Sequence, residues 1–431
     1  MRHKRAIDSM VKVFNKTNSK KRIIPGKDFL PHAAKITTEV DIRLLSEATL
    51  DSWFTAGRFS QQFESELQNF YGLRSASLVN SGSSANLVAL SALTSKTLGE
   101  KGISKGSEVI TVAAGFPTTV NPIIQNGATP VFIDISIPSY NLDTSKLEES
   151  LTHKTRAVMI AHTLGNPFGL NQIKEFCLKN NLWLIEDNCD AFGSKFDGKL
   201  TGTFGDISTL SFYPAHHITT GEGGAILTNS PRLRVLIESF RDWGRDCYCL
   251  PGKDNTCQKR FTQELGNLPY GYDHKFAYSH VGYNLKMTDM QAALGVAQMS
   301  QVTNFILKRQ KNWQYLYDQV RGLEDFYILP TFDEKSSPSW FGFALTIRAD
   351  KSDKRSGILN FLAEKKIGTR LLFAGNITKQ PGYLDIPQRI VGELTHTDKV
   401  TEDTFWVGCW PGLDQNHLDY IGDALRESIN L

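Results

Sequence analysis

From residue 76 onward, short apolar runs alternate with segments of helical periodicity. The runs are ASLVN (76–80), EVITVA (108–113), PVFID (130–134), AVMIAH (157–162), WLIED (183–187), ISTLSF (207–212) and GAILTN (224–229). They are rich in Val and Ile and mostly lack polar alternation, which is typical of strands buried on both faces of a mainly parallel sheet. Helical stretches such as ANLVALSALTSKTL separate several of them. The pattern predicts an α/β fold with a seven-stranded sheet covered by helices.

The pattern changes after residue 285. MTDMQAALGVAQMSQVTNFILKRQKNWQYLYDQV has apolar residues at three- and four-residue spacing, which predicts one long helix crossing between domains. Strand-like FGFALTIRA, a helix around ILNFLAEKK and a closing helix from His417 follow. The expected parts are an N-terminal arm (1–50), a large domain that includes a cysteine loop at 241–260 (51–300) and a small α+β domain (301–431).

Composition excludes several classes of protein. The chain has 431 residues, of which 40% are hydrophobic. Its net charge of +3 does not indicate a nucleic-acid-binding protein. No apolar run approaches the length of a membrane span. The basic start, MRHKRAIDSMVKVFNKTNSKKR, lacks the apolar region of a secretory signal, so a flexible or surface-lying arm is expected. We expect a cytoplasmic protein, in which six cysteines are not disulfides.

Ligands in such sheets bind beyond the carboxyl ends of the strands, and candidate residues stand at several of these ends. After the first run, Gly82 and Ser83 precede a helix and either cradle a phosphate or belong to an ordinary serine cap. Phe116 either stacks on a flat cofactor or is core. Asp187 either pairs with a protonated pyridine nitrogen or caps a local helix. Ser211 adds a hydroxyl at the sixth strand end.

Six motifs together carry a resemblance to the sugar aminotransferase family of fold-type I pyridoxal-phosphate enzymes. They are TAGRFSQQFESEL, NSGSSANLVAL, TPVFIDI, LIEDNCDAFG, SFYPAHHITTGEGGAI and GYNLKMTDMQAALG. The resemblance runs from about Thr55 to the C-terminus. This family makes amino and deoxy sugars on nucleotide carriers, and its fold agrees with the predicted sheet and smaller domain.

The resemblance implies a set of cofactor-binding residues, Gly82, Ser83, Phe116, Asp187, Ser211 and Asn284. Asp187 is expected to pair with the pyridine nitrogen, so that the ring acts as an electron sink, and Phe116 to stack on that ring. The glycine and the two serines are expected to hold the phosphate. Asn284 is expected to reach the phosphate of a neighbouring subunit, which implies a homodimer with shared sites.

One position departs from the family pattern. The motif SFxPxK supplies the lysine of the internal Schiff base, whereas this chain has His216 there and no lysine between Lys199 and Lys253. An imidazole forms no stable imine, so the cofactor is expected to be non-covalently bound pyridoxamine phosphate (PMP), with His216 as general base. The alternative is a pseudoenzyme, against which the retained Asp187 argues. The adjacent His217 either orients a neighbour or faces solvent.

A lysine-to-histidine change at this position is a mark of the sugar 3-dehydratase branch of the family. The resemblance implies a 4-keto-6-deoxy sugar nucleotide joined to PMP through an imine. His216 removes a proton from C4′ of the cofactor, and the 3-hydroxyl of the sugar leaves. The expected reaction is therefore an elimination and not an amino transfer.

Four cysteines suggest a further cofactor. Cys247, Cys249 and Cys257 lie in a loop rich in glycine and charge, and Cys189 follows Asp187 by two residues. C-x-C-x7-C is not a familiar zinc or ferredoxin spacing, and scattered thiols are the alternative. Four thiolates would suit zinc or a [2Fe–2S] cluster.

The spacing of these cysteines resembles that of the iron–sulfur members of the 3-dehydratase branch. That resemblance implies CDP-4-keto-6-deoxyglucose as the substrate, one-electron reductions through a [2Fe–2S] cluster and a role in 3,6-dideoxyhexose biosynthesis for lipopolysaccharide O-antigen. The chain has no dinucleotide fingerprint, so a separate NADH-dependent flavin iron–sulfur reductase is the expected partner. Cys177 and Cys409 fall outside the spacing and are expected to be structural.

Other interpretations remain open from the sequence. A cluster-free PMP-dependent dehydratase is one, and a non-catalytic relative that binds a vitamin B6 form is another. Arg370, in IGTRLLF, is either a ligand of the substrate diphosphate or part of a surface ion pair. His162, Asn166 and Pro167 follow a strand and are expected to shape the site.

Overall fold

The apolar runs form the strands of the central sheet, as predicted. The computed structural model describes residues 3–18, 22–247, 249 and 253–431. The strands are β1 Ser75–Val79, β2 Glu108–Val112, β3 Thr129–Ile133, β4 Ile135–Ser136, β5 Asn141–Leu142, β6 Thr155–Ala161, β7 Trp183–Asp187, β8 Lys195–Phe196, β9 Lys199–Leu200, β10 Ile207–Ser211, β11 Gly224–Thr228, β12 Tyr327–Ile328, β13 Ser336–Ser337, β14 Gly342–Ile347, β15 Thr369–Arg370, β16 Arg389–Ile390 and β17 Thr404–Gly408.

Helices cover the sheet and build the rest of the molecule. They are α1 Lys4–Asn18, α2 Glu39–Asp51, α3 Arg58–Tyr71, α4 Gly82–Ala92, α5 Pro117–Gln125, α6 Leu147–Ser150, α7 Leu170–Lys179, α8 Pro231–Arg241, α9 Asp289–Met299, α10 Val302–Val320, α11 Arg355–Glu364, α12 Thr395–Asp403 and α13 Gln415–Glu427. Within the described ranges, none of them is long and apolar enough to cross a membrane.

The central sheet has the order β1-β11-β10-β7-β6-β2-β3-β16. Its strands are parallel except β11, which is antiparallel to both of its neighbours. The prediction of seven strands missed β16, which pairs with β3 through Arg389 and Ile390. A strand of two residues outside any apolar run has no hydrophobic pattern from which it could be predicted. Residues 301–431 therefore contribute to the large sheet as well as to the antiparallel sheet β12-β14-β17-β15.

The single long helix predicted after residue 285 is in fact two, α9 and α10, which are separated at Ser300 and Gln301. The Ser300 hydroxyl donates to the carbonyl of Ala297 at 2.6 Å. Such a local bond lets a serine compete with the helical backbone pattern. Apolar periodicity continues through the break, which explains why the sequence did not reveal it.

The N-terminal arm is more ordered than the sequence indicated. Helix α1 lies along α2 and buries Ile7 and Val11. After it, Leu30 is 1% exposed and pairs with Ile367 of the small domain. Of the two arrangements expected, a flexible or a surface-lying arm, these residues form the second. Their few apolar side chains are spaced too irregularly to predict burial.

A buried carboxylate joins the start of α9 to the start of α3. Asp289 is 2% exposed and accepts hydrogen bonds from the backbone N–H of Gly57, Phe59 and Ser60 at 2.9, 3.2 and 2.8 Å. The Ser60 hydroxyl adds a bond of 2.9 Å. These donors are the unpaired N–H groups of a helix N-terminus, which attract negative charge. The contact explains why TAGRFS and MTDMQ, which are far apart in sequence, occur together.

We predict that Asp289→Ala lowers the free energy of unfolding by about 2–4 kcal/mol, because it leaves several buried N–H groups without an acceptor. Urea denaturation followed by circular dichroism, at one protein concentration, measures the change. Asp318→Ala, on the exposed face of α10, is the matched control and should be close to neutral. Equal stability of the two variants would contradict the assigned role of Asp289.

Candidate active site

A cavity of about 320 Å³ lies at the carboxyl ends of β7 and β10, where the sheet topology predicts a ligand. It brings together eight residues singled out from the sequence, Gly82, Ser83, Phe116, Asp187, Cys189, Ser211, His216 and Arg370. Asn284, Cys247, Cys249 and Cys257 do not line it. The large domain supplies most of the wall, and the small domain closes one side of it.

The N-terminus of α4 meets the end of β10 at very close range. A Cβ on Gly82 would lie 2.4 Å from Cβ of Ser211, so only glycine fits there. The Ser81 side chain caps the helix by accepting from the N–H of Ser84 at 3.0 Å. Backbone N–H groups of the first turn and the Ser211 hydroxyl are thereby available to an anion such as a phosphate. The serine cap is present, and the anion cradle, which was the alternative, is compatible with it.

Asp187 is held in place by donors from three elements. Its Oδ2 accepts from Nδ2 of Asn86 at 2.8 Å and from Oγ1 of Thr119 at 2.6 Å, and its Oδ1 accepts from the N–H of Cys189 at 3.2 Å. Asn86 is itself oriented by the Thr209 hydroxyl, which donates to its Oδ1 at 2.6 Å. The carboxylate is 4% exposed and lines the cavity, so it is positioned for a cationic ring nitrogen.

Sequence reasoning missed Asn86, Thr119 and Thr209. A usable signal existed for Asn86, because it stands four residues after Gly82 and therefore lies on the same face of α4. Thr119 and Thr209 carried no comparable signal. Phe116 is 49% exposed at the cavity and meets Phe373 edge-on, with ring centroids 6.2 Å apart. An aromatic ring so exposed in a concave site is suited to stacking on a planar ligand.

His216 lies in the cavity wall beside Asp190. Its Nδ1 is 3.4 Å from Oδ1 of Asp190, without a hydrogen bond between them. The backbone is fixed on both sides, since its N–H donates to the carbonyl of Tyr213 at 2.9 Å and its own carbonyl accepts from Nη2 of Arg309 at 3.1 Å. The ring packs against Phe341 at 5.1 Å. Nδ1 faces Asp190, and the residue lines the cavity.

Burial decides the charge states around this histidine. Burial, reinforced by the nearby Arg309 guanidinium, lowers the pKa of His216 to about 4. Burial and then the charge of Asp187 raise the pKa of Asp190 to about 8. His216 is therefore a neutral imidazole near pH 7 and is able to accept a proton.

His217 has a structural position. It is 3% exposed, and its Nε2 lies 2.8 Å from the backbone carbonyl of Ser339, to which it donates. The possibility that His217 faces solvent was wrong. Its ring ties the turn after β10 to the segment that precedes β14.

The cysteines do not converge on one point. Cys189 lines the large cavity, whereas Cys247 and Cys249 line a separate one of about 100 Å³. The Cys249 thiol is 3.0 Å from the Thr256 hydroxyl, and Cys257 is 3.4 Å from Nε2 of His274. Among the residues that the structure describes, no group of three or more His, Cys, Asp or Glu is arranged to hold a metal ion.

The two cysteines outside the spacing are buried, as expected of structural thiols. Burial raises the pKa of both Cys177 and Cys409 to about 12. Such thiols stay protonated and are unreactive near neutral pH.

Two further expectations concern residues near the strand ends. His162 does not line the cavity; it is fully buried, stacks on Phe168 and bonds Oε2 of Glu186 at 3.0 Å. Asn284 lies away from the cavity of its own chain, where its Oδ1 accepts from Nζ of Lys286 at 2.9 Å. A role for Asn284 toward a neighbouring subunit stays a prediction.

The residues present fit pyridoxamine phosphate. The glycine at position 82 leaves room for a phosphate where any side chain would collide with Ser211. Asp187 is fixed at the depth of the cavity, and the exposed ring of Phe116 stands beside it. No lysine is among the residues that line this cavity, so a covalent Schiff base has no partner there.

Comparison with known proteins identifies the family to which the chain belongs. Residues 35–426 match the model of the DegT/DnrJ/EryC1/StrS aminotransferase family. The lipopolysaccharide biosynthesis protein RfbH of Salmonella typhimurium is 54% identical, over 97% of this chain and 95% of its own length. The dTDP-4-dehydro-2,6-dideoxy-D-glucose 3-dehydratase of Saccharopolyspora spinosa is 50% identical, over 97% of this chain and 90% of its own length.

A solved structure shares the fold. The E. coli GDP-4-keto-6-deoxy-D-mannose-3-dehydratase with bound hydrated PLP superposes with a TM-score of 0.82 at 26% identity. The match covers 94% of this chain and 100% of the other. The fold-type I architecture expected from the sequence is thereby confirmed.

We predict that Asn86→Ala weakens the binding of PMP about tenfold, because a donor worth about 1.4 kcal/mol to the Asp187 carboxylate is lost. Titration of apoprotein with PMP, followed by absorbance, measures this change. Asn121→Ala, on the neighbouring helix α5 and outside the cavity lining, is the matched control. Wild-type affinity in Asn86→Ala would contradict the role assigned to the amide.

Proposed function

Because the chain belongs to the DegT/DnrJ/EryC1/StrS aminotransferase family, we propose that it is a PMP-dependent sugar-nucleotide 3-dehydratase. The observation that carries the proposal is His216, which stands in a cavity with the cofactor-binding residues of a transaminase and no lysine. The names of the relatives at 50% and 26% identity, both 3-dehydratases of nucleotide sugars, support it.

Each part of the cavity has a task in this proposal. When bound, PMP supplies an amine for the substrate ketone and a ring that withdraws electrons. The α4 N-terminus and Ser211 hold its phosphate, and Asp187 holds its ring nitrogen. His216 takes up a proton at Nε2 and later returns one to the departing 3-hydroxyl or to solvent. Arg309 keeps the His216 backbone in position through the bond to its carbonyl.

For the substrate we propose CDP-4-keto-6-deoxy-D-glucose, which makes the chain a CDP-4-keto-6-deoxyglucose 3-dehydrase. The support is the spacing of Cys189, Cys247, Cys249 and Cys257, which resembles that of the iron–sulfur branch. The names of the relatives include dTDP and GDP sugars, so the nucleotide requires a direct test. Turnover of CDP-, dTDP- and GDP-4-keto-6-deoxyhexoses, compared side by side, supplies it.

A [2Fe–2S] cluster and a separate NADH-dependent reductase belong to the same proposal, but the positions of the thiols do not fit a cluster. Cys247 and Cys249 line one cavity, and Cys189 lines another. We therefore derive no electron-transfer step through it. The separation of the thiols favours the second candidate, a PMP-dependent dehydratase without a cluster.

A homodimer and a cytoplasmic location complete the proposal. The support for shared sites is Asn284, which lies outside its own cavity and belongs to a motif whose asparagine is expected to serve a neighbouring subunit. Mixing two inactive variants, His216→Asn and Asn284→Ala, tests the arrangement. If the sites are shared, one of the two sites in the mixed dimer contains both His216 and Asn284, and part of the activity returns.

We predict that His216→Asn abolishes exchange of the C4′ hydrogen of bound PMP, because an amide cannot take up the proton. NMR of the cofactor, after incubation with the keto sugar in deuterated water, measures the exchange, and calorimetry checks that PMP still binds. In the neighbouring variant His217→Asn, exchange should persist while thermal stability falls. Exchange at the wild-type rate in His216→Asn would exclude His216 as the base.

Anaerobic reconstitution distinguishes the two candidates, because a [2Fe–2S] cluster requires about two iron atoms and two acid-labile sulfides per subunit, whereas the cluster-free candidate requires none. Chemical analysis and EPR of the dithionite-reduced protein make the measurement. Cys249→Ser should lower the iron content, whereas Cys177→Ser, at a buried thiol outside the spacing, should not. Iron-free protein that still dehydrates the sugar would establish the second candidate.

A further inference from the structure

We propose that His32, from the N-terminal segment 22–37, and Arg370 together bind the diphosphate group of the nucleotide-sugar substrate. Both residues line the cavity that holds His216 and Asp187. The inference rests on the proposed function, because it supposes a sugar nucleotide in this site. It assigns a substrate-binding role to a segment that was expected to belong to a flexible or surface-lying arm.

The segment is fixed against the small domain by its backbone. Leu30 donates to the carbonyl of Lys366 and accepts from the N–H of Gly368, both at 2.8 Å. Next to it, the Trp410 indole donates to the carbonyl of Pro31 at 2.9 Å. These bonds bring residue 32 to the edge of the cavity and hold it there.

Two glycines of the small domain allow this close approach. A Cβ on Gly408 would lie 2.1 Å from the carbonyl oxygen of His32, and one on Gly368 would lie 2.9 Å from its amide nitrogen. Side chains at these positions would push the segment away from β15 and β17. The small domain therefore accommodates the backbone of His32 at two positions where a side chain would collide with it.

The imidazole of His32 has no hydrogen-bond partner among the described residues. Its ring meets Trp406 edge-on at 5.2 Å, and Nδ1 is buried without a hydrogen bond. Nε2 is the nitrogen that remains accessible from the cavity. Because the imidazole forms no hydrogen bond in the described part of the chain, this nitrogen remains able to form one with a ligand.

Arg370 supplies the positive charge. It lies on β15 opposite Trp406 of β17, and its side chain is exposed. Nη1 donates to the carbonyl of Thr369 at 2.8 Å, and no Asp or Glu among the described residues forms an ion pair with it. The alternative of a surface ion pair therefore has no acidic partner among the described side chains. An unpaired guanidinium in a cavity matches phosphate oxygens in charge and geometry.

The two side chains complement each other chemically. Burial, followed by the Arg370 charge, lowers the pKa of His32 to about 4, so the imidazole is a neutral N–H donor near pH 7. One cation and one neutral donor suit a diphosphate, whose oxygens accept several hydrogen bonds. The cradle at Gly82 and Ser211 is a separate anion site, built by the large domain for the cofactor.

Calorimetry of the PMP-loaded protein with CDP, GDP and dTDP tests the proposal. For the diphosphate that binds most tightly, His32→Ala and Arg370→Gln should each weaken binding about tenfold, equivalent to about 1.4 kcal/mol. Affinity for the corresponding nucleoside, measured by competition, should not change. His153→Gln, an exposed histidine far from the cavity lining, is the matched control and should bind as wild type.

His32→Phe separates hydrogen bonding from packing, because it keeps an aromatic ring against Trp406. It should lose the same tenfold as His32→Ala and unfold at the wild-type temperature. Wild-type diphosphate affinity in His32→Phe, or an equal loss for the nucleoside, would overturn the proposal, as would the failure of all three diphosphates to bind. These binding measurements do not depend on turnover. If the expected changes in diphosphate affinity are found but the wild-type protein does not exchange the C4′ hydrogen, the dehydratase function is refuted and the diphosphate site is not.

Discussion

The hydrogen bonds to the buried Asp187 carboxylate are the constraint on which the site depends. Asn86 from α4, Thr119 from α5 and the backbone of Cys189 all donate to it. A buried carboxylate without such donors would be costly, so the three elements must converge at the end of β7. The same convergence sets the α4 N-terminus against Ser211, where we propose that the cofactor phosphate binds.

The identity of one residue then changes what this framework can do. A lysine at position 216 would allow a covalent cofactor, and His216 allows only proton transfer. Its surroundings suit that task, because burial and Arg309 keep the imidazole neutral. Arg309 comes from α10, so the helix that connects the two domains also positions the proposed base. Asp190 is the only carboxylate that the structure places within 4 Å of its ring, within the described residues.

The small domain and the N-terminal segment complete the cavity. Arg389 and Ile390 extend the large sheet, and the segment around Leu30 is held on the small domain. The two domains are therefore interlocked through short pairings that have little sequence signature. This arrangement brings His32 and Arg370 to the mouth of a site whose chemistry lies in the large domain.

The sequence by itself determined seven strands of the central sheet, the class of fold, the candidate cofactor residues and the absent lysine, because buried strands and strand-end chemistry are local patterns. Tertiary structure alone decided which distant groups meet. The donors Asn86 and Thr119, the partner of His217 and the place of His32 follow from packing between elements. The cysteines show the same limit. Their spacing in the sequence suggested one cluster, whereas Cys189 lines one cavity and Cys247 and Cys249 line another. Spacing along the chain does not determine the distance between side chains in the folded protein.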